Sequence, residues 1–96
     1  MSEVIEKAVT ALNEKLGSEG FDGSAKFVIE GEGEIVLDAE GARIGDDDTD
    51  VVLTASVETF QGMLEGEVNP TMAFMSGKLS IDGSMSQAMK LASVLG

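Results

Sequence analysis

The chain lacks most of the residue types on which catalytic and metal sites depend. Its 96 residues include no cysteine, histidine, tryptophan or tyrosine. Without cysteine there are no disulfides, thiolate ligands or thiol nucleophiles. Without histidine, the common nucleophile-base pairs and zinc sites cannot form. Catalysis by a pair of carboxylates stays open, but the acidic residues follow no motif. The sequence therefore favours a protein that is not an enzyme and needs no cofactor or metal.

Basic residues are also scarce, with six lysines and arginines against eighteen acidic residues and a net charge of -12. This charge repels phosphate backbones and anionic membrane surfaces. Nucleic acid is therefore excluded as a partner, and membrane contact is expected to be transient at most. Residues 1–17 lack the uninterrupted apolar run of a signal peptide or a membrane span. The last residues are not a peroxisomal address, so elimination leaves the cytoplasm as the expected location.

The length and the 43% hydrophobic content predict one domain over residues 1–96. Apolar residues recur at helical spacing from Glu3 to Leu16, which predicts an amphipathic helix capped by Ser2 and ended by Gly17. Alternating apolar residues then predict four strands, over 25–30, 34–38, 42–45 and 50–56. The link of residues 31–33 is short enough for an antiparallel hairpin.

Two helices, a strand and a final helix follow in the pattern. Ser56 is placed to cap the first of them, which ends before Gly66, and Asn69-Pro70 is a typical start for the second. Residues 78–82 alternate as a fifth strand, and residues 84–95 carry apolar side chains on one helical face. This order predicts an α+β domain with helices covering one face of the sheet.

The segment from residue 69 to 91 is unusually rich in soft apolar side chains. It holds Met72, Met75, Met85 and Met89, four of the six methionines, together with Phe74 and the only proline. Unbranched thioether side chains adapt their shape to what they touch. The segment therefore fits a flexible apolar pocket, although methionines at this spacing also serve simply to fill a core.

The same segment contains a distinctive string of residues: Asn69-Pro70, residues 73–75 (AFM), residues 77–79 (GKL), Ile81, Gly83, Met85 and residues 88–91 (AMKL). In these residues and their spacing the chain resembles the sterol carrier protein 2 family, and most closely a short, stand-alone member of bacterial type. This resemblance implies a five-stranded, mainly antiparallel sheet with a hydrophobic tunnel between the sheet and the helices. It also implies non-catalytic binding and transfer of fatty acids, acyl chains or sterol-like lipids.

The tunnel residues are expected on the Met-rich helices, on the fifth strand and on the Phe-containing helix before them. They are Phe60, Met63, Met72, Met75, Leu79, Ile81, Met85, Ala88, Met89 and Ala92. Phe74 is expected to anchor the short helix in the core instead. Polar contacts are expected only from Gln61, Ser84 or Gln87.

Two features of the sequence qualify the expected ligand. Ser80 and Asp82, with Glu65 and Glu67 just before Asn69, provide a poor environment for a polyanionic coenzyme A head group. Because the final helix ends near residue 96, one end of the tunnel is expected to be open or closed by a second copy.

Other readings of the same residues remain open. The apolar surface is also suited to docking a partner protein or forming a weak homodimer, and the domain could present its lipid to a separate enzyme. The methionine pairs have the spacing of copper(I) ligands, although such sites usually add cysteine or histidine. The acidic run of residues 46–50 resembles the start of a calcium loop, but Val51 and Val57 replace its required glycine and glutamate. A solvated turn is the expected role of that run.

Overall fold

A computed structural model describes residues 3–95 of the chain. Within them the elements follow the predicted order, with bounds that differ from the expected ones by about one residue. They are α1 (Glu3–Leu16), a 3-10 turn (Gly17–Glu19), β1 (Ala25–Ile29), β2 (Gly33–Asp38), β3 (Gly41–Ile44), β4 (Val51–Ala55), α2 (Val57–Leu64), α3 (Pro70–Met75), β5 (Leu79–Gly83) and α4 (Met85–Leu95). The predicted α+β class is confirmed.

The five strands form one sheet in the order β3-β2-β1-β4-β5. All neighbouring pairs are antiparallel except β1 and β4, which are parallel. In this register Phe27 lies between Ile35 on β2 and Leu53 on β4, and Leu53 is in turn paired with Ile81 on β5. Because side chains alternate between the faces of a sheet, these four residues share the same face.

Helices α1 and α4 pack over that face and form the core with it. Ile5, Ala8, Leu12 and Leu16 of α1 are buried, as are Ala88, Leu91 and Leu95 of α4. The outer side of α1 also makes one specific contact. The Asn13 side chain accepts from the backbone N–H of Ala42 at 2.8 Å and donates to the carbonyl of the same residue at 3.0 Å. Asn13 therefore joins the helix to the edge strand β3.

The opposite face of the sheet is crossed by the loop of residues 45–50. Lys26, Val36 and Arg43 are cross-strand neighbours on this face. Arg43 pairs with Asp38 at 2.8 Å and with Asp47 at 2.9 Å, and Val36 is buried beneath this cover. The acidic run therefore belongs to a connection that carries the chain from the edge strand β3 to the interior strand β4, and it is not a tight turn.

The predicted helix boundaries have the expected hydrogen bonds where the structure describes them. Ser56 accepts from the Thr59 amide at 3.2 Å, and Asn69 accepts from the amides of Thr71 and Met72 at 2.8 and 3.2 Å. Such caps satisfy amides that have no partner within the helix. The predicted cap at Ser2 lies outside the described residues. Among residues 3–95, no helix is both long enough and apolar enough to cross a membrane.

Candidate functional site

An apolar cleft lies between the sheet and the pair of helices α3 and α4. Its floor is formed by sheet residues on the helix-covered face, and its rim by side chains of the two helices. The residues that line it are Phe27, Leu53, Pro70, Thr71, Phe74, Leu79, Ile81, Met85, Ala88, Met89, Ala92 and Leu95. Thr71 is the one polar residue in this set, so the cleft offers hydrocarbon contacts almost everywhere.

The spacing of residues along α4 explains why this helix forms one wall. Met85 and Met89 are one helical turn apart, as are Ala88 and Ala92, so each pair projects from a continuous strip of the helix. The alanines leave space next to the sheet, while the longer methionines reach across the mouth. Small residues at the base and flexible ones at the rim make this wall adjustable.

The cleft is nearly closed in this structure. Its interior cavity measures about 30 Å³, and about 380 Å³ of unfilled space is present when the solvent-open mouth is included. A cavity of about 30 Å³ is far smaller than the roughly 300–1,000 Å³ of typical ligand sites. The open tunnel expected from the family resemblance is therefore not the conformation observed here.

Charge is kept outside the cleft. Lys90 of α4 forms an ion pair with Asp22 at 3.2 Å, and both of these side chains are exposed. The pKa of Asp38 is lowered by its hydrogen bonds from the Arg43 side chain and the Glu40 backbone amide, on the other side of the sheet. Since none of the lining residues is titratable, the cleft has no general acid or base in its walls.

Six of the ten predicted site residues line this cleft together. They are Leu79, Ile81, Met85, Ala88, Met89 and Ala92. All six lie on β5 or α4, the two elements that carry most of the resemblance. Their convergence follows from the position of β5 at the sheet edge beside α4.

The other four predicted residues lie elsewhere. Phe60 and Met63 are fully buried on α2, where the Phe60 ring packs on the Phe27 ring with a centroid distance of 4.8 Å and a tilt of 60°. They contribute to the hydrophobic core. Met72 and Met75 point outward from α3 and are exposed. Neither lines the cleft, and Met72 borders a separate surface depression with Glu67 and Lys78.

Several lining residues were absent from the predicted set. Phe27 and Leu53 form the floor. Three more come from α3, namely Pro70, Thr71 and Phe74, and Leu95 lies at the end of α4. The expectation that Phe74 anchors α3 in the core is wrong, since this ring is 40% exposed at the rim and Pro70 and Ala73 are buried instead. The alternation in β1 and β4 was the available signal for Phe27 and Leu53. It could not show which strands lie next to β5.

The three expected polar contacts also lie outside the lining. Gln61 is exposed on α2, and Ser84 accepts from the Gln87 amide at 3.3 Å at the start of α4. The Gln87 side chain packs against Gly23, where an added Cβ would collide with it. Its buried Oε1 has no hydrogen-bond partner among the described residues. The lining of the cleft is therefore apolar, with Thr71 as its single polar residue.

Comparison with known proteins gives a consistent assignment. A model of the "SCP-2 sterol transfer family" matches residues 5–96. "Hydroxysteroid dehydrogenase-like protein 2" of Bos taurus is 44% identical over 63 residues, covering 62% of this chain and 15% of that protein. The protein of the same name from Xenopus tropicalis is 39% identical over 98 residues, covering 94% of this chain and 24% of that protein. The chain thus spans less than a quarter of either relative.

A solved structure has the same fold over the whole chain. It is the "Sterol Carrier Protein - 2 from Aedes aegypti" in complex with a C16 fatty acid, palmitate. The TM-score is 0.80 at 19% identity, covering 100% of this chain and 97% of that one. At this identity, the similarity establishes the shared architecture.

Proposed function

Because this chain belongs to the SCP-2 sterol transfer family, we propose that it binds the hydrocarbon part of a lipid in the cleft between the sheet and helices α3 and α4. In this proposal it carries the lipid between sites without making or breaking bonds. The observation that carries the proposal is the lining itself, which is apolar except for Thr71. The palmitate held by the Aedes aegypti relative supports a fatty acid or a similar chain as the ligand class.

The binding energy in this proposal comes from removing methylene groups from water. Each buried methylene contributes about 0.8 kcal/mol. Affinity should therefore rise with chain length until the cleft is filled, and then level off. Because the walls contain no charged group to recognise a head group, selectivity among lipids is expected to be loose. The carboxylate or other head group remains at the solvent-exposed mouth.

A bound chain requires the cleft to widen from its present cavity of about 30 Å³, because ligand sites typically measure roughly 300–1,000 Å³. We infer that the rim methionines and α3 provide this space. Met85 and Met89 can change rotamer without breaking a hydrogen bond of their side chains. Helix α3 has only six residues and two short connections, so a small shift of this helix would open the mouth. Binding then selects or induces an open form, and the free energy of opening the cleft offsets part of the free energy gained by burying the chain.

We also propose that the domain itself performs no chemical step. The walls contain no carboxylate, amine or imidazole that could transfer a proton to a bound lipid. The similarity to segments of larger proteins named hydroxysteroid dehydrogenase-like fits a role in which such a domain presents its ligand to a separate enzyme. In that role the domain contributes burial, and the chemistry occurs elsewhere.

Uptake of a fluorescent fatty acid by charge-inserting variants tests the proposal. Met89→Glu places a carboxylate in the cleft wall and should strongly weaken uptake, since position 89 is half exposed in this structure and a bound chain would have to bury an unpaired charge there. Met72→Glu is the matched control: it makes the same change on an exposed helical methionine outside the lining, and uptake should be retained. Circular dichroism establishes that both variants are folded. Uptake by a folded Met89→Glu protein equal to that of the wild type would refute the site.

A further inference from the structure

The methionines among the described residues fall into three groups that differ in exposure and position. Met63 is buried in the core at 1% exposure, whereas Met72 and Met75 are exposed on α3 outside the cleft lining. Met85 and Met89 are 47% and 55% exposed and line the cleft. The chain contains no cysteine. Cysteine and methionine are the side chains that climb the oxidation ladder under peroxide, so in this chain such oxidation is directed to the methionines.

Helix α4 holds Met85 and Met89 where a small oxidant reaches them and where a change in their polarity affects the cleft. They are one helical turn apart on the strip of the helix that lines the cleft. Since both side chains are half exposed, a water-borne oxidant can approach them from the mouth. Their neighbours in the lining are apolar apart from Thr71. A polar atom created at either position therefore depends on water for its hydrogen bonds, because the wall offers one hydroxyl and no charged group.

We propose that Met85 and Met89 form an oxidation-sensitive site, at which hydrogen peroxide converts the thioethers to sulfoxides and thereby lowers the affinity of the cleft for a hydrocarbon chain. The inference deepens the proposed function and rests on it. A sulfoxide oxygen at the mouth is hydrated as long as water reaches it. A bound chain would remove this water, and burying a polar group without a hydrogen bond is unfavourable. Oxidation therefore disfavours the lipid-bound form and promotes release.

The oxidation requires no catalytic group from the protein. A lone pair of the thioether sulfur attacks one oxygen of the peroxide, and the O–O bond breaks as the S–O bond forms. The hydroxide that leaves takes the proton of the transferred hydroxyl group and becomes water, so the sulfur is oxidised by two electrons and the peroxide is reduced by two. A methionine sulfoxide reductase reverses the change, with a pair of thiols supplying two electrons and two protons and the oxygen leaving as water. Since this chain has no thiol, the reductant must be a separate protein.

The exposure of the two side chains also predicts that the oxidised protein stays folded. An oxygen added at position 85 or 89 can point to solvent, so no core contact has to break. Met63 is the internal contrast, because a sulfoxide at 1% exposure would place a polar group in the core. Peptide mass mapping should therefore find an added oxygen on the exposed methionines while Met63 resists. Loss of the far-UV circular dichroism signal on oxidation would overturn the inference, since uptake would then be lost by unfolding.

Uptake of a fluorescent fatty acid before and after hydrogen peroxide tests the effect on binding. The dissociation constant of the wild-type protein should rise about tenfold or more and should return after treatment with methionine sulfoxide reductases. The ratio of the two constants is taken within each protein, so the starting affinity of a variant cancels. Met85→Leu combined with Met89→Leu should abolish the rise, whereas the matched control, Met72→Leu combined with Met75→Leu, should show it in full. A rise that persists in the first variant, or no rise in the fully oxidised wild type, would overturn the inference.

A protection experiment uses the wild-type protein alone and separates this inference from the proposed function. Protein loaded with palmitate should be oxidised slowly at Met85 and Met89, because the chain covers the lining, and at the usual rate at Met72 and Met75. After removal of palmitate and peroxide, this sample should keep its affinity for fatty acid, and a loss of affinity with unmodified cleft methionines would overturn the inference. Absence of both uptake and protection would refute the proposed function, and the inference with it. Uptake and protection without any effect of the sulfoxides would refute the inference alone.

Discussion

Replacing Phe27 by alanine should be among the most destabilising single changes in this protein. Phe27 is fully buried on the central strand β1, between Ile35 and Leu53, and its ring packs on that of Phe60. Removal of a buried phenylalanine leaves a cavity and costs about 3–5 kcal/mol. The free energy of unfolding of a domain is only about 5–15 kcal/mol. The variant should therefore fold but unfold at much lower urea concentration.

Phe74→Ala is the matched control, because it removes the same side chain from the other side of the same cleft. This ring is 40% exposed, so its truncation should cost only about 1–2 kcal/mol, in line with the area it buries. Urea denaturation followed by far-UV circular dichroism measures both losses, provided that the two variants share one m-value. Equal losses, or a loss below about 1 kcal/mol for Phe27→Ala, would refute the packing described for the cleft floor.

Two further predictions concern the two edge strands of the sheet, at Gly83 of β5 and Arg43 of β3. Gly83 has a φ of +107° and its added Cβ would lie 2.4 Å from the Asp50 carbonyl oxygen, so Gly83→Ala should cost about 2–4 kcal/mol in urea denaturation. Gly77→Ala, at a φ of +83° with no atom within 4 Å, should cost only about 1 kcal/mol, and equal losses would exclude a steric cause. Arg43→Ala should raise the lowered pKa of Asp38 towards its ordinary value, as followed by NMR titration of the carboxyl carbon. Because the pKa of Asp38 is lower in the folded state than in the unfolded state, its interaction with Arg43 stabilises the fold fully above the ordinary aspartate pKa. This stabilisation is lost as the pH falls through the lowered pKa. An unchanged titration of Asp38 in the variant would contradict this.

The sequence predicted the secondary structure closely, and it predicted part of the lining of the cleft. The elements have strong local signals, such as the Asn69-Pro70 start of α3 and the alternation around Phe27 in β1. Local periodicity also shows which side of an element is apolar. It cannot show whether that side meets the core, a cleft or solvent. For this reason Phe60 was expected in the site and lies in the core, whereas Phe74 was expected in the core and lies at the rim.

The methionines illustrate the same limit. Met85 and Met89 line the cleft as expected. Met72 and Met75 are also methionines at a similar helical spacing, but they point away from the cleft. The difference arises because α3 rests on Pro70 and Ala73, and the register of a six-residue helix on the sheet depends on which strand lies beneath it. The residues of α3 alone do not contain this information.

By itself, the sequence determined which residue types are available to this protein, and these limit the functions that it can have. The absence of histidine and cysteine, the net charge of -12 and the apolar segment of residues 69–91 already favour binding of something hydrophobic over catalysis. Only the tertiary structure decided where an apolar cleft forms. The parallel pairing of β1 with β4 puts Phe27 beside Leu53, which is itself paired with Ile81 of β5, and this pairing joins residues far apart in the chain. Local patterns report the environment within one element, whereas a cleft is made by contacts between elements, so its floor, its closure and its exposed rim become visible only when the chain is folded.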